Sequence, residues 1–250
     1  MPPEKKVLLE NRLQKRLKEL SMTSYPAYFD FLFSKKGIDQ ELISMIDVIT
    51  TNKTDFFREP AHFTYLTNTI VPEIQQKSTK QLRIWSAGCS SGEEPYTIAI
   101  TLEGMMERNE LIDYSIFATD ISTIVLNKAI QAIYPKQRAE NIPMTIKKKY
   151  FLRSSDPENK FVCVVPELKR KITFRRLNFM DETYKTPHSF DVIFCRNVII
   201  YFDRKTQEKV ISKLCTKINK GGYLFLGHSE SITNMNLPLQ SIRPTVFKKI

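Results

Sequence analysis

The chain has 250 residues, 42% of them hydrophobic and 26% charged, enough for a packed core in one large or two small domains and too apolar for a disordered tail. Lys and Arg outnumber Asp and Glu by 38 to 27, a net charge of +11, which predicts an acidic partner or substrate. No run approaches the roughly 20 apolar residues that span a bilayer, so no membrane insertion is expected.

Residues 1 to about 70 read as helical. Leu9, Leu13, Leu17 and Leu20 recur at helical spacing and define one apolar face. Lys5, Arg12 and Arg16 form a basic stripe beside it, either a solvated edge or a docking surface. Ser24-Tyr25-Pro26 predicts the start of a second helix and Gly37 its stop; a third covers 40–49, and Thr54 predicts the cap of a fourth. The first twenty residues are too charged for a signal peptide. Cys89, Cys163, Cys195 and Cys215 are too scattered for a disulfide scaffold or a CxxC metal site, so a reducing cytoplasm and no metal are expected.

From about residue 80 strands alternate with helices. Strands are predicted at 82–85, 114–118, 172–177, 191–195, 223–226 and 245–247, with helix-length segments between most of them. That order predicts an α/β fold with a mostly parallel, doubly wound sheet. The stretch 150–168 breaks the pattern with a β-rich segment at 161–165 and a Ser-Ser-Asp-Pro turn, and predicts a small antiparallel insertion.

Candidate chemistry lies where strands end. The small-residue turn Ser86-Ala87-Gly88-Cys89-Ser90-Ser91-Gly92, between a strand and a helix, lets a ligand approach backbone amides. It lacks the Lys of a phosphate loop, and Glu93 and Glu94 would repel a bare phosphate while suiting a ligand with positive charge. Alternatively, they complement the helix dipole. Asp120, ending the next strand, is placed to accept from both hydroxyls of a ribose or to cap the helix that follows. Together these features describe a nucleoside site without phosphates, for which S-adenosylmethionine is the common ligand. Arg196 could fork onto a carboxylate and Tyr201 could donate to the same group, or Arg196 could serve a structural ion pair. The turn also matches G-x-S-x-G, with Asp191 and His228 following in hydrolase order, but no HGG-type oxyanion loop stands upstream. The Pro-Pro signature of adenine methylation is absent, so no nucleic-acid substrate is expected.

Four stretches, Thr51-Asn52-Lys53-Thr54-Asp55-Phe56-Phe57-Arg58, Trp85-Ser86-Ala87-Gly88-Cys89-Ser90-Ser91-Gly92-Glu93-Glu94-Pro95-Tyr96, Phe194-Cys195-Arg196-Asn197-Val198-Ile199-Ile200-Tyr201-Phe202 and Gly227-His228-Ser229-Glu230, resemble the chemotaxis receptor methyltransferase (CheR) family in its order. The resemblance implies a helical domain with linker over 1–70 and a class I methyltransferase, Rossmann-like domain over 71–250, with the β-subdomain inserted at about 150–168. It implies transfer of methyl from S-adenosylmethionine, leaving S-adenosylhomocysteine, to glutamates on chemoreceptor cytoplasmic helices, by a monomer. Carried over by motif, Asn52, Thr54 and Arg58 close over the cofactor. Glu94 meets its methionine or adenosine part, Asp120 the ribose, and Asn178 and Phe179 the adenine. Arg196 and Asn197 border the reacting centre and Tyr201 faces the substrate. The stripe Lys5, Arg12, Arg16 becomes a docking surface for acidic receptor helices, with Lys147-Lys148-Lys149 and Lys169-Arg170-Lys171 adding charge around the insertion.

Overall fold

The structure is a computed structural model describing residues 3–50, 52–77, 81–110, 113–156, 158 and 160–250. The side chains of residues 3–6, 8 and 77 lie outside that description, and with them Lys5 of the basic stripe. Helices α1 (Pro3–Glu19), α2 (Tyr25–Leu32), α3 (Lys35–Gln40) and α4 (Leu42–Ile49) come first. The leucine stripe makes their core: Leu13 and Leu17 are buried with Tyr28 and Leu32, and Leu9 and Leu20 pack at its margin. Ser24 caps α2 by accepting from the Ala27 N–H. Gly37, expected to stop that helix, instead lies buried inside α3, where its N–H donates to the capping Ser34 hydroxyl.

The basic stripe needs the larger correction. Arg16 forks onto Glu41, Nε to Oε1 at 2.8 Å and Nη2 to Oε2 at 2.6 Å, and Tyr28 donates to the same carboxylate at 3.0 Å. Arg12 donates to the Ile49 carbonyl at the end of α4. Both guanidiniums clamp α1 onto its neighbours, so neither is a solvated charge at the helix edge. The lysine runs are also engaged: Lys149 pairs with Glu107, Lys171 with Asp113, and Lys147 and Lys169 donate to backbone carbonyls.

Residues 52–59 are irregular, so Thr54 caps nothing. Phe57 and Glu59 take left-handed φ values of 54° and 57°, which no helix tolerates, and the next helix waits for Pro60. It is α5 (Pro60–Tyr65), followed by a π-helical turn (Leu66–Ile70) and α6 (Val71–Lys77).

The remainder runs β1 (Leu82–Ala87), α7 (Glu93–Glu107), β2 (Tyr114–Asp120), α8 (Thr123–Gln131), β3 (Ile133–Pro135), α9 (Met144–Tyr150) and β4 (Phe151–Arg153). Then follow β5 (Phe161–Val164), α10 (Pro166–Arg170), β6 (Ile172–Arg176), β7 (Phe190–Cys195), α11 (Arg204–Lys217), β8 (Ile218–Leu226), β9 (Leu239–Arg243) and β10 (Val246–Lys249). Seven strands form one sheet in the order β6-β2-β1-β7-β8-β10-β9, parallel except at β10, which opposes both neighbours. Alternate residues feed opposite layers: Ile84, Phe194 and Phe225 join one core cluster, Trp85, Ile193 and Leu224 the other. This is the class I methyltransferase arrangement expected.

β3, β5 and β4 make the small antiparallel sheet. It starts upstream of the expected insertion because β3 precedes α9. Among the described residues no helix is long and apolar enough to cross a membrane. The strand order reverses at β1, between β2 and β7, and such a switch point opens a crevice beyond the carboxyl ends of the strands.

Replacing Glu41 with Ala leaves Arg16 only its more exposed partner Glu19 and orphans the Tyr28 hydroxyl. The expected loss is about 3 kcal/mol in urea unfolding. A loss below about 1 kcal/mol would reduce the cluster to an ordinary surface pair.

Candidate active site

A cavity of about 430 Å³ lies at that crevice. Asn52, Thr54 and Arg58 reach it from the linker, Glu94 from the first turn of α7, and Asp120 from the end of β2. Asn178 and Phe179 come from the loop after β6, and Arg196, Asn197 and Tyr201 from the loop after β7. Residues nominated from five separate stretches of sequence therefore line one cavity.

The turn after β1 is shaped by contact. Gly88 has φ +88°, and a Cβ there would stand 2.4 Å from Val198 Cγ2, so only glycine admits the approach of the β7 loop. Two positions on, the Ser90 N–H donates to Asp120 Oδ2 at 2.8 Å, and the Ser122 N–H donates to Oδ1 at 3.0 Å. Ser122, not Asp120, caps α8. Burial pushes the Asp120 carboxyl up from its usual range, and the Asp47 charge adds to this, against the pull of backbone N–H groups. Each oxygen keeps acceptor capacity for a ligand hydroxyl.

Glu93 and Glu94 divide sharply. Glu93 is 1% exposed and turns away to Arg138 at 2.8 Å and Ser91 at 2.7 Å. Glu94 stays in the cavity wall, with Oε1 accepting from Ser86 at 2.7 Å and Oε2 from Arg196 Nε at 2.7 Å.

Of the two readings of Arg196, that last bond matches the ion pair and not the free fork. Its Nε belongs to Glu94, and its Nη1 donates to the Arg58 carbonyl at 2.8 Å and faces Glu59 Oε2 at 3.4 Å and His62 Nδ1 at 3.1 Å. A guanidinium only donates, so His62 Nδ1 is the acceptor. The imidazole proton must then sit on Nε2, which donates to Thr245 Oγ1 at 2.8 Å, while Thr245 passes its own hydrogen to the Pro244 carbonyl. Burial first, and the Arg196 charge second, hold the His62 pKa down to about 4. Glu59, His62 and His228 stand close enough together to resemble a ligand trio for a metal. Glu59 and His62 already face a guanidinium, whose charge would repel a metal ion.

The linker is strapped across the cavity. The Ser90 hydroxyl donates to the Asn52 carbonyl at 3.2 Å, and the Phe57 N–H donates to Thr97 Oγ1 at 3.1 Å. Phe56 packs edge-on against Tyr134 and Phe151, with ring centroids 5.0 and 5.4 Å away. Ile46 and Ile49 of α4, with Thr50 just after it, add a wall the sequence did not announce. A signal existed, since an eight-residue helix apolar almost all round must be covered on more than one side. The hydrolase alternative fails on topology. Asp191 lies at the amino end of β7, accepting from the Arg83 N–H at 2.9 Å, across the sheet from Ser90.

Residues 52–247 match the CheR methyltransferase, SAM binding domain, and residues 1–50 match the CheR methyltransferase, all-alpha domain. The chain belongs to the CheR methyltransferase family. It is similar to the chemotaxis protein methyltransferase of Borreliella burgdorferi, 45% identical over 251 residues, covering 98% of this chain and 87% of that protein. It also resembles chemotaxis protein methyltransferase 2 of Pseudomonas aeruginosa, 38% identical over 96% of this chain and 84% of that one. With the enzyme of Escherichia coli the identity is 36%, over 92% and 78%. This CheR-family protein is a methyltransferase dependent on S-adenosylmethionine, and its cavity fits that cofactor. Asp120 offers acceptors at one end, Ile121 and Phe179 offer apolar flanks, and Gly88 leaves backbone exposed to close approach. Its volume lies within the roughly 300–1,000 Å³ of small-molecule sites.

His62 gives a pH signature. Its folded pKa lies below the usual 6.5, so as pH falls the unfolded chain takes up the proton first. The resulting stabilisation is complete above pH 6.5 and is lost as pH falls towards 4, roughly 3 kcal/mol in all. His62→Gln keeps an acceptor for Arg196 without titrating. Urea unfolding across this window should show wild type losing that much more than the variant, and parallel losses would mean that the buried ring is already charged.

Proposed function

We propose that this enzyme transfers methyl from S-adenosylmethionine to glutamate side chains on the cytoplasmic helices of chemoreceptors, forming γ-glutamyl methyl esters in chemotaxis adaptation. It does so as a monomer in the cytoplasm, with no nucleic-acid substrate. The observation that carries this reading is the cavity at the switch point, with Asp120 on one wall, the Arg196–Glu94 pair on another and Tyr201, 52% exposed, at its rim. The relatives' shared name, chemotaxis protein methyltransferase, supports it.

The residue roles are those that the family resemblance implies. Asp120 takes the ribose hydroxyls, and Asn178 and Phe179 take the adenine. Glu94 meets the methionine or adenosine part, with Asn52, Thr54 and Arg58 closing over it. Arg196 and Asn197 border the reacting centre. Bound S-adenosylmethionine supplies a methyl group activated by a sulfonium.

The acceptor needs little acid–base help, because a glutamate with a pKa of about 4.3 is already ionised at neutral pH. Opposite charges cancel as the methyl moves, and water opposes that, so the protein's task is to align the partners and exclude solvent. Arg196 suits the task better as an ion pair than as a free fork. Held on Glu94, Glu59 and His62, it presents positive charge from a fixed place and cannot swing out to chelate the acceptor. It thus orients a carboxylate without stabilising the ground state as much as the transition state. Tyr201, on a single 3₁₀ turn (Ile199–Tyr201), donates the remaining hydrogen bond to the acceptor. With Arg12 and Arg16 engaged inside the helical domain, we assign long-range attraction of acidic receptor helices to the net charge of +11, not to that stripe.

Methyl transfer from labelled cofactor to receptor membranes, followed by mild base, tests the reading: label should leave as methanol, and base-stable label would reject a carboxyl ester. Tyr201→Phe should lower kcat by roughly tenfold, the scale of one hydrogen bond, while S-adenosylhomocysteine affinity stays within about twofold by calorimetry. Equal losses in both would place the hydroxyl on the cofactor instead.

A further inference from the structure

The loop that carries Asn197, Val198 and Tyr201 into the cavity is held from behind by a group outside the cavity wall. Asn197 is left-handed, φ 60°, and the backbone N–H groups of 197, 198 and 199 turn away from the sheet without strand partners. They converge on Glu230, a carboxylate 6% exposed in the loop after β8. Oε2 accepts from Asn197 N at 2.9 Å and Gly227 N at 2.6 Å; Oε1 accepts from Val198 N at 2.8 Å and Ile199 N at 2.9 Å. Four donors fill the four lone-pair positions of an ionised carboxylate, and successive N–H groups of this kind form an anion nest. The two loops touch backbone to backbone, since a Cβ on Gly227 would stand 2.8 Å from Asn197 N and 2.4 Å from its Nδ2.

We propose that Glu230 is the positioning residue for the acceptor side of the site, its carboxylate fixing the backbone of 197–199 and so aiming Asn197 and Tyr201 at the reacting centre. Its own four bonds reach neither the ribose end of the cavity nor the linker. A negative charge is required, because the amide of a glutamine would turn an N–H₂ group towards two of the four N–H donors. Burial and the N–H donors act on the carboxyl in opposite directions, burial raising its pKa and the donors lowering it.

The kinetic half of the test rests on the methyl-transfer reading, and the other half does not. Glu230→Gln should lower kcat for receptor methylation by about a hundredfold, the scale of a 1 Å misplacement, with S-adenosylhomocysteine affinity within about threefold. Unchanged kcat, or kcat and affinity falling by the same factor, would overturn the proposal. In wild type, hydrogen exchange should show the amides of 197–199 and 227 protected like those of β7, and exchange at the rate of an open loop would overturn it without any variant. If wild type methylates no receptor, the substrate reading fails while the exchange measurement still decides the clamp.

Discussion

A guanidinium buried where the central sheet ends is the constraint on which the site depends. Arg196 is 7% exposed, and a charge so far from water persists only when its donors are met with good geometry. The partners come from different parts of the chain: the Arg58 carbonyl and Glu59 from the linker, His62 from α5 and Glu94 from α7. Satisfying one ion therefore brings three stretches of chain into register around the end of β7. The positive charge that results stands beside the cavity at a fixed place.

The sheet was legible because buried parallel strands are largely apolar, and 82–85, 191–195 and 223–226 carry that composition, whereas the polar start of β8 at 218–222 does not and stayed unread. The glycine turn and Asp120 were legible because the chemistry there is local to a strand end. What stayed hidden was long-range or featureless. Glu94 and Arg196 are 102 residues apart, so the bond that turns a substrate fork into a fixed charge has no local signature. Arg12 and Arg16 have the spacing of a solvated stripe, and only the folded positions of Glu41 and the Ile49 carbonyl show them facing inward. β3 has three residues, and β9 is half-buried at best with no apolar alternation, so neither carries a pattern to read.

The linker shows how one short irregular segment serves several neighbours. Phe56 packs into the small sheet, Asp55 meets Arg138 at 3.0 Å, Asn52 is held by Ser90, and Arg58 lends its carbonyl to Arg196. Two left-handed residues, Phe57 and Glu59, keep the segment out of helix so that these contacts can form at once. Backbone strain of this kind persists where surrounding contacts over-determine it, and it is found here beside the cavity.

The bond between His62 and Thr245 joins residues 183 positions apart. During synthesis, the imidazole emerges from the ribosome long before the hydroxyl that will hold its proton. Until the antiparallel end of the sheet is made and folded in, the Nε2 proton that Arg196 dictates has no Thr245 hydroxyl to receive it. The site thus ripens last, and a half-made chain would have its cofactor-binding strands in hand without the ring orientation they serve.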